Sequence, residues 1–578
     1  MDKKAYFLKP LGARHRQYEA LRAVYVEGLS LAQAARQFGF SAGYLKKVRG
    51  EFHRALQREE SYFFPAPKKG RKVGRTTAPS MVEQMVALRK QNHSVPDIQA
   101  VLAAQGQTLA LTTIDRILKQ EGFAPLPKRT RRERATVAVP PRIPAPEATA
   151  LVWREETFTT EQGGGPLVFL PLLEHLGIVP AIGRAGYPRT SVLSDTASVL
   201  SFLALKLLGA ERLSHDAPYN LDRALGLFAG LNVLPKSSTL SSYSYRVDRR
   251  QNRTLLLELS RIFQGPGLEA GEFNLDFKAI PHWGDASVLE NNWSGMRRQG
   301  IKSLLALLVQ DPATGFLSYT DAGIRHRNES GAVLEFVDFW KEGRGVAPKL
   351  LIFDARFTTY ENLSRLNQDG IKFLTLRRRG KELVHQAQAL PGGEWATVTF
   401  EQDNRKRKTV RVHDSHVALR HYDGEVRQLI LTGHGHAQPT FLITNDFDLP
   451  IASLLKKYAR RWLVEQEIAE QIDFFHLNSP SSSIVVKVDF DLTLSLLAHN
   501  LFRELTQKIP GFERCTVATI ARDVLQNGAI VSIKNRAITV HLKKKTHLPA
   551  LFEAPWMKQV STLSWMKASI AFDIATTS

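Results

Sequence analysis

From Gly271 onward the chain alternates short apolar runs with stretches of helical period, which confines this part to a mixed sheet covered by helices. Phe273-Asn-Leu-Asp276-Phe reads as a short strand carrying Asp276. Residues 302–311 and 315–323 read as its hairpin partners, and 331–342 as a helix. Lys349-Leu-Leu-Ile-Phe-Asp354 reads as a buried strand ending in Asp354. A helix beginning near Thr359 and a strand over 371–380 follow. The resulting order is strand–strand–strand–helix–strand–helix–strand.

An aspartate at the end of a strand is commonly a turn or cap residue. A third carboxylate gives the pair more weight. Tyr458-Ala-Arg-Arg-Trp-Leu-Val-Glu-Gln-Glu467 reads as the start of a helix running to about Leu477, with no Gly or Pro inside it. At about 100° per residue, Tyr458, Arg461 and Glu465 fall within roughly 60° of one face. Trp462, Ile468 and Ile472 lie on or beside that face, so it is partly apolar. A carboxylate there needs a cation or a metal. Arg461, one turn earlier, can orient Glu465; the plainer alternative is a surface ion pair. Two strand-borne aspartates and a helix-borne glutamate suit a pair of Mg²⁺ ions, which prefer carboxylate oxygens and take further ligands from phosphate.

These stretches resemble bacterial insertion-sequence transposases of the DDE type, the cut-and-paste group whose RNase H-like catalytic domain carries a β-rich insertion. The resemblance covers about residues 270–505 and rests on Asp276, Asp354, Tyr458, Arg461 and Glu465. The family's signature is a Tyr, an Arg three positions on, a Glu four further and a Lys seven beyond. The first three match, whereas the fourth falls on Ile472. The DNA-contacting Lys is therefore unassigned, with Lys487 as a substitute. The resemblance implies that Asp276, Asp354 and Glu465 hold two Mg²⁺ ions, for which Mn²⁺ would substitute, with Arg461 and Tyr458 completing the catalytic set. It also implies double-stranded DNA as partner, both transposon ends and target, and a homodimer in the synaptic complex. Trp283 and Trp293 are candidates to stack on a flipped base, although an aromatic in a strand is more often core.

The formal charge is +22, and most of the excess lies at the front, where residues 1–135 hold 26 Lys/Arg against 11 Asp/Glu. Such a front suggests a polyanion, nucleic acid before membrane. A single Cys515 excludes a disulfide framework or a Cys-cluster zinc site. The opening lacks the apolar core of a signal peptide, and no run is apolar over the ~18–20 residues that span a bilayer. The expectation is the bacterial cytoplasm, associated with the nucleoid.

In chain order, 1–62 reads as a helix-turn-helix unit. Leu31, Ala34 and Ala35 pack its first helix, Gly39 makes the turn and Ser41 caps a second helix exposing Tyr44, Lys46, Lys47 and Arg49. A basic linker, 63–80, leads to a second such unit over 81–135, where Ser94 and Pro96 begin one helix. Thr112 or Thr113 begins another, carrying Arg116 and Lys119. A Pro-rich linker (136–149) and a helical platform (150–268) follow; in the latter, Ser237-Ser238-Thr239 caps a helix bearing Tyr243, Tyr245, Arg246, Arg249 and Arg250. The catalytic core occupies 269–380 and 448–508, with the inserted β-rich subdomain at 381–447 and a C-terminal region at 509–578. Arg377, Arg378 and Arg379, after the last core strand, can hold phosphate. The fold expected is thus multidomain α/β. Its rivals in function are a DNA-binding regulator with an inert transposase fold and an RNase H-like structure-specific nuclease.

Overall fold

The computed structural model describes residues 12–58, 62–63, 79–90, 93–104, 107–121, 123, 146–210, 219–263, 271–281, 289–294, 299–357, 359–401, 407–435, 437–461, 468, 470, 473–477 and 485–575. The chain is mixed α/β and divides into two compact units, 1–142 and 143–578. Residues 64–78 of the first expected linker and 136–145 of the second lie outside the described residues, as do 124–135 at the end of the second expected helix-turn-helix unit.

In the first unit, α1 (Ala13–Tyr25), α2 (Leu31–Gln37) and α3 (Ala42–Gln57) pack around Ala20, Leu21, Ala34, Ala35, Leu45 and Val48. Ser30 and Gln33 cap the start of α2 reciprocally. Gly39 turns the chain at φ 69°, where a Cβ is disfavoured, and Ser41 Oγ accepts from the Tyr44 N–H at 3.2 Å. A second cluster, Met85, Ile98, Leu102, Ile114, Ile117 and Leu118, joins α4 (Pro79–Lys90), α5 (Val95–Ala104) and α6 (Leu111–Gln120). Ser94 and Asp97 exchange hydrogen bonds at the start of α5. Helix α6 starts earlier than Thr112 or Thr113: it follows Ala110, which has no side-chain cap. Burial of Ile114, Ile117 and Leu118 sets that start, not a hydroxyl.

The second unit opens with β1 (Glu156–Thr160) and a layer of helices: α7 (Gly164–Leu167), α8 (Leu170–His175), α9 (Ile178–Ala185), α10 (Asp195–Leu207), α11 (Arg223–Phe228), α12 (Ser237–Ser244) and α13 (Arg249–Ile262). The single helix expected across 237–250 is two helices. Asp248 caps a new start by exchanging hydrogen bonds with Gln251, so Tyr243 and Arg249 belong to different elements. No single helix among the described residues is long and apolar enough to cross a membrane.

A ten-stranded sheet follows. It contains β2 (Glu272–Pro281), β3 (Glu290–Ser294), β4 (Gln299–Gln310), β5 (Leu317–Ile324), β6 (Leu350–Phe353) and β7 (Lys372–Leu376), with α14 (Ala332–Arg344) and α15 (Tyr360–Gln368) between the last three strands. Strands β2, β6 and β7 run parallel, while β4 is antiparallel to β2 and β5 to β4. Thr359 caps α15. After α16 (Lys381–Gln388), the strands β8 (Ala396–Glu401), β9 (Arg407–Ala418), β10 (Glu425–Thr432) and β11 (Thr440–Thr444) continue the same sheet, β11 pairing antiparallel with β7. The β-rich insertion is therefore an extension of the sheet, because β11 completes the hydrogen bonds of β7.

Along β2 and β6 the side chains alternate between two faces. Phe273, Leu275, Leu351 and Phe353 turn to a core that includes Phe336 and Trp340 of α14. On the other face Leu350, Ile352, Leu374, Leu442, Leu429 and Val412 form an apolar floor from β6 to β9. Leu454 and Leu455 of α17 (Ile451–Arg460) rest on that floor. Beyond it, α18 (Val485–Gln507) closes the sheet edge: Asn500 bonds both backbone groups of Leu317 in β5, at 2.8 and 2.9 Å. Arg249 ties three elements together by pairing with Asp489 of α18 and Asp321 of β5. The C-terminal region forms a second sheet, β12 (Ala529–Lys534), β13 (Ala537–Leu542), β14 (Ser561–Leu563) and β15 (Ala568–Ile574), completed by β1.

Candidate active site

The pairing of β2 with β6 runs Glu272 to Leu350, Phe273 to Leu351 and Asn274 to Ile352. The same offset places Asp276 opposite Asp354, one residue past the end of β6. Neighbouring strands lie about 4.8 Å apart, so the carboxylates sit side by side on the face that α17 covers. The Asp354 carboxylate accepts from the N–H of Ala355, and Asp276 from that of Phe277 at 2.8 Å. Neither aspartate caps a regular helix.

Helix α17 differs from the expected one. It begins after Pro450 and ends at Arg460, with Arg461 as its C-cap, instead of starting near Tyr458. Ile451, Leu454, Leu455 and Tyr458 make the apolar stripe that seats it. Three contacts fix its end, two of them to β2 and one to the turn after β4. Lys457 Nζ meets both Glu272 oxygens at 2.6 and 2.7 Å; Asn274 Nδ2, fully buried, donates to the Arg460 carbonyl at 3.1 Å; and Arg460 donates to the Pro312 carbonyl at 2.9 Å. Tyr458 and Arg461 are thereby carried to the aspartates.

Arg461 Nη1 lies 3.5 Å from Asp276 Oδ2, with both side chains largely shielded, and its guanidinium stands 5.6 Å from the Tyr458 ring centre. Burial pushes the Tyr458 hydroxyl up to about 12; Arg461 opposes that shift, while Asp354 and Asp276 add to it. Both aspartates thus act on one phenol. Among the described residues Arg461 pairs with Asp276, a contact the sequence did not indicate. Glu465, with Trp462 and Ile472, lies outside the described residues, as does Trp283.

Sequence reading missed Lys278, which follows Asp276 by two positions on the same face of β2. It is half-buried, and burial holds its ammonium below the usual lysine range while Asp276 pulls it up. Alternation along β2 was the available signal. It groups Asn274, Asp276 and Lys278 against Phe273, Leu275 and Phe277.

Other candidates lie elsewhere. Lys46 and Lys47 are exposed on α3, Arg49 is half-buried, and the Tyr44 hydroxyl accepts from Gln17 Nε2 at 2.7 Å. Arg116 and Lys119 are exposed on α6, where Lys119 pairs with Asp115 at 2.7 Å. Arg377 bonds Gln428 of β10, leaving Arg378 and Arg379 exposed after β7. Trp293 is 63 % exposed on β3, not part of a core. Lys487 is buried, with Nζ 3.7 Å from the Tyr245 ring centre and 3.3 Å from Ser241 Oγ; it serves the joint between α18 and the end of α12.

Two aspartates abreast, partly open to solvent, fit a Mg²⁺ ion, which one or two carboxylates can hold while waters and phosphate supply the rest. No group of three or more His, Cys, Asp or Glu residues placed to hold a metal occurs among the described residues. No protein-family model and no curated protein matches this chain.

Proposed function

We propose that this chain is a DDE transposase with an RNase H-like core, binding the terminal inverted repeats of an insertion sequence through residues 1–135 and cutting and joining DNA at Asp276, Asp354 and Glu465. The carrying observation is the register of β2 and β6, which sets Asp276 beside Asp354 beneath Tyr458 and Arg461. Antiparallel β2, β4 and β5, with the short β3 added on β4, followed by the parallel, helix-linked β6 and β7 agree with the reading.

Asp276 and Asp354 would hold divalent ions, with Glu465 as a further ligand. Such ions lower the pKa of a bound water and stabilise the attacking and leaving oxygens of an in-line exchange. Arg461 offsets charge on Asp276 and offers a planar fork of donors to a phosphate. Tyr458 Oη, pushed up by burial, keeps its proton at neutral pH and can act as a donor.

The test uses the full chain and duplexes carrying the repeats that flank its gene, with Mg²⁺ or Mn²⁺. Cutting and strand-transfer products are expected. Asp276→Asn, Asp354→Asn and Glu465→Gln should each abolish cutting and leave end binding intact, since an amide keeps the shape and loses the charge. A variant that cuts at the normal rate removes its residue from the site. Cutting without joining indicates a structure-specific nuclease; binding without cutting indicates a regulator.

A further inference from the structure

Lys278 anchors nothing through its ammonium among the described residues. Its ammonium makes no hydrogen bond or ion pair within bonding distance among the described residues, although the side chain is half-buried. A sheltered ammonium without an acceptor is costly, and a strand position of this kind is more cheaply filled by an apolar residue. Its neighbour on β4 is Ala306, whose small side chain leaves space above the sheet. On the other side β6 has already ended at Phe353. Lys278 therefore stands at the open margin of the aspartate pair, on the same face.

The charge of the cluster fixes the sign of its occupant. Asp276 and Asp354 are balanced by Arg461 and Lys278, so each divalent ion added by the proposed chemistry makes the described cluster cationic. An anion that reaches both the ions and Lys278 is then favoured, and a phosphodiester supplies it.

Resting on the proposed function, we infer that Lys278 binds a non-bridging oxygen of the phosphodiester engaged at Asp276 and Asp354, positioning it for in-line attack. Lys278 forms no covalent bond and transfers no proton; it supplies a point charge.

The experiment measures single-turnover cutting of the flanking-repeat duplex by full-length wild type, Lys278→Met and Lys278→Arg. Each is run on an all-phosphate duplex and on duplexes with a neutral methylphosphonate at the scissile phosphate or one neighbour. Lys278→Met keeps most of the apolar stem and should lower the rate about ten- to a hundred-fold, with end binding unchanged. Lys278→Arg should recover part of that loss and serves if the Met variant fails to fold. At one substituted phosphate the wild type should lose rate by a similar factor, and Lys278→Met should lose little more. A normal rate in Lys278→Met, or losses that multiply at every phosphate, overturns the inference while wild-type cutting upholds the site. Absence of metal-dependent cutting by the wild type overturns the functional reading, and this inference with it.

Discussion

Arg461 sits between two kinds of partner. Its Nη1 is 3.5 Å from Asp276, its guanidinium faces Tyr458, and only 16 % of its side chain is exposed. A surface ion pair is worth roughly 0–1 kcal/mol and leaves chemistry alone. Under the proposed function, a sheltered guanidinium beside a carboxylate that would hold a metal has a different task, one that uses the fork of donors. Arg461→Lys keeps the charge and loses the fork. It is expected to lower single-turnover cutting about ten- to a hundred-fold, since a charge-assisted contact is worth roughly 1.5–3 kcal/mol. Thermal unfolding should shift little. Unchanged cutting with lowered stability would make Arg461 a structural residue. The spacing of Tyr458 and Arg461 is legible in the sequence, but the contact of Arg461 with Asp276 is not, because Asp276 lies on a strand 185 residues earlier.

At the scale of elements, α17 is the lever of the site. Its apolar stripe rests on a floor that includes the inserted strands β9 to β11, and its last turn is tied to β2. The insertion thus supports the helix that brings Tyr458 and Arg461 to the aspartates. Asn274→Ala should remove the buried bond to the Arg460 carbonyl, cost about 1–2 kcal/mol, and slow cutting although Asn274 touches neither aspartate's partner. Hydrogen exchange across 454–461 should rise in the variant. Lost stability without faster exchange there, or without slower cutting, would confine Asn274 to the core. The stripe Ile451, Leu454, Leu455, Tyr458 was readable in the sequence. In the sequence, the aromatic and acidic residues from Tyr458 on give a second helical pattern that masks it.

Over the whole molecule, the proposed function divides between the two units. The front section carries most of the positive excess, and its two small helical clusters expose Lys46, Lys47, Arg116 and Lys119. Full-length protein is expected to bind flanking-repeat duplexes with an affinity that falls steeply as salt rises. Lys46→Ala and Lys47→Ala should each weaken binding to all duplexes alike and reduce the salt slope by about one. A fragment of residues 143–578 that binds the repeats as tightly as the whole chain would refute this division. Within the second unit the C-terminal region is built in. β1 pairs with β12 across more than 370 residues, and a Cβ on Gly165 would stand 1.7 Å from the Leu525 carbonyl oxygen. The Gly163-Gly164-Gly165 run therefore permits close backbone approach.

What the sequence determined by itself is local. Ser30, Ser41 and Thr359 cap their helices because a hydroxyl reaches N–H groups two or three residues on. The apolar run 350–353 is a strand because both of its faces are buried. Tertiary structure alone decided the register that sets Asp276 beside Asp354, the face on which Lys278 joins them, the seating of α17 on the inserted strands and the closure of β1 on the C-terminal sheet. Each depends on which distant surfaces bury one another, and no residue's own neighbours in the chain carry that information.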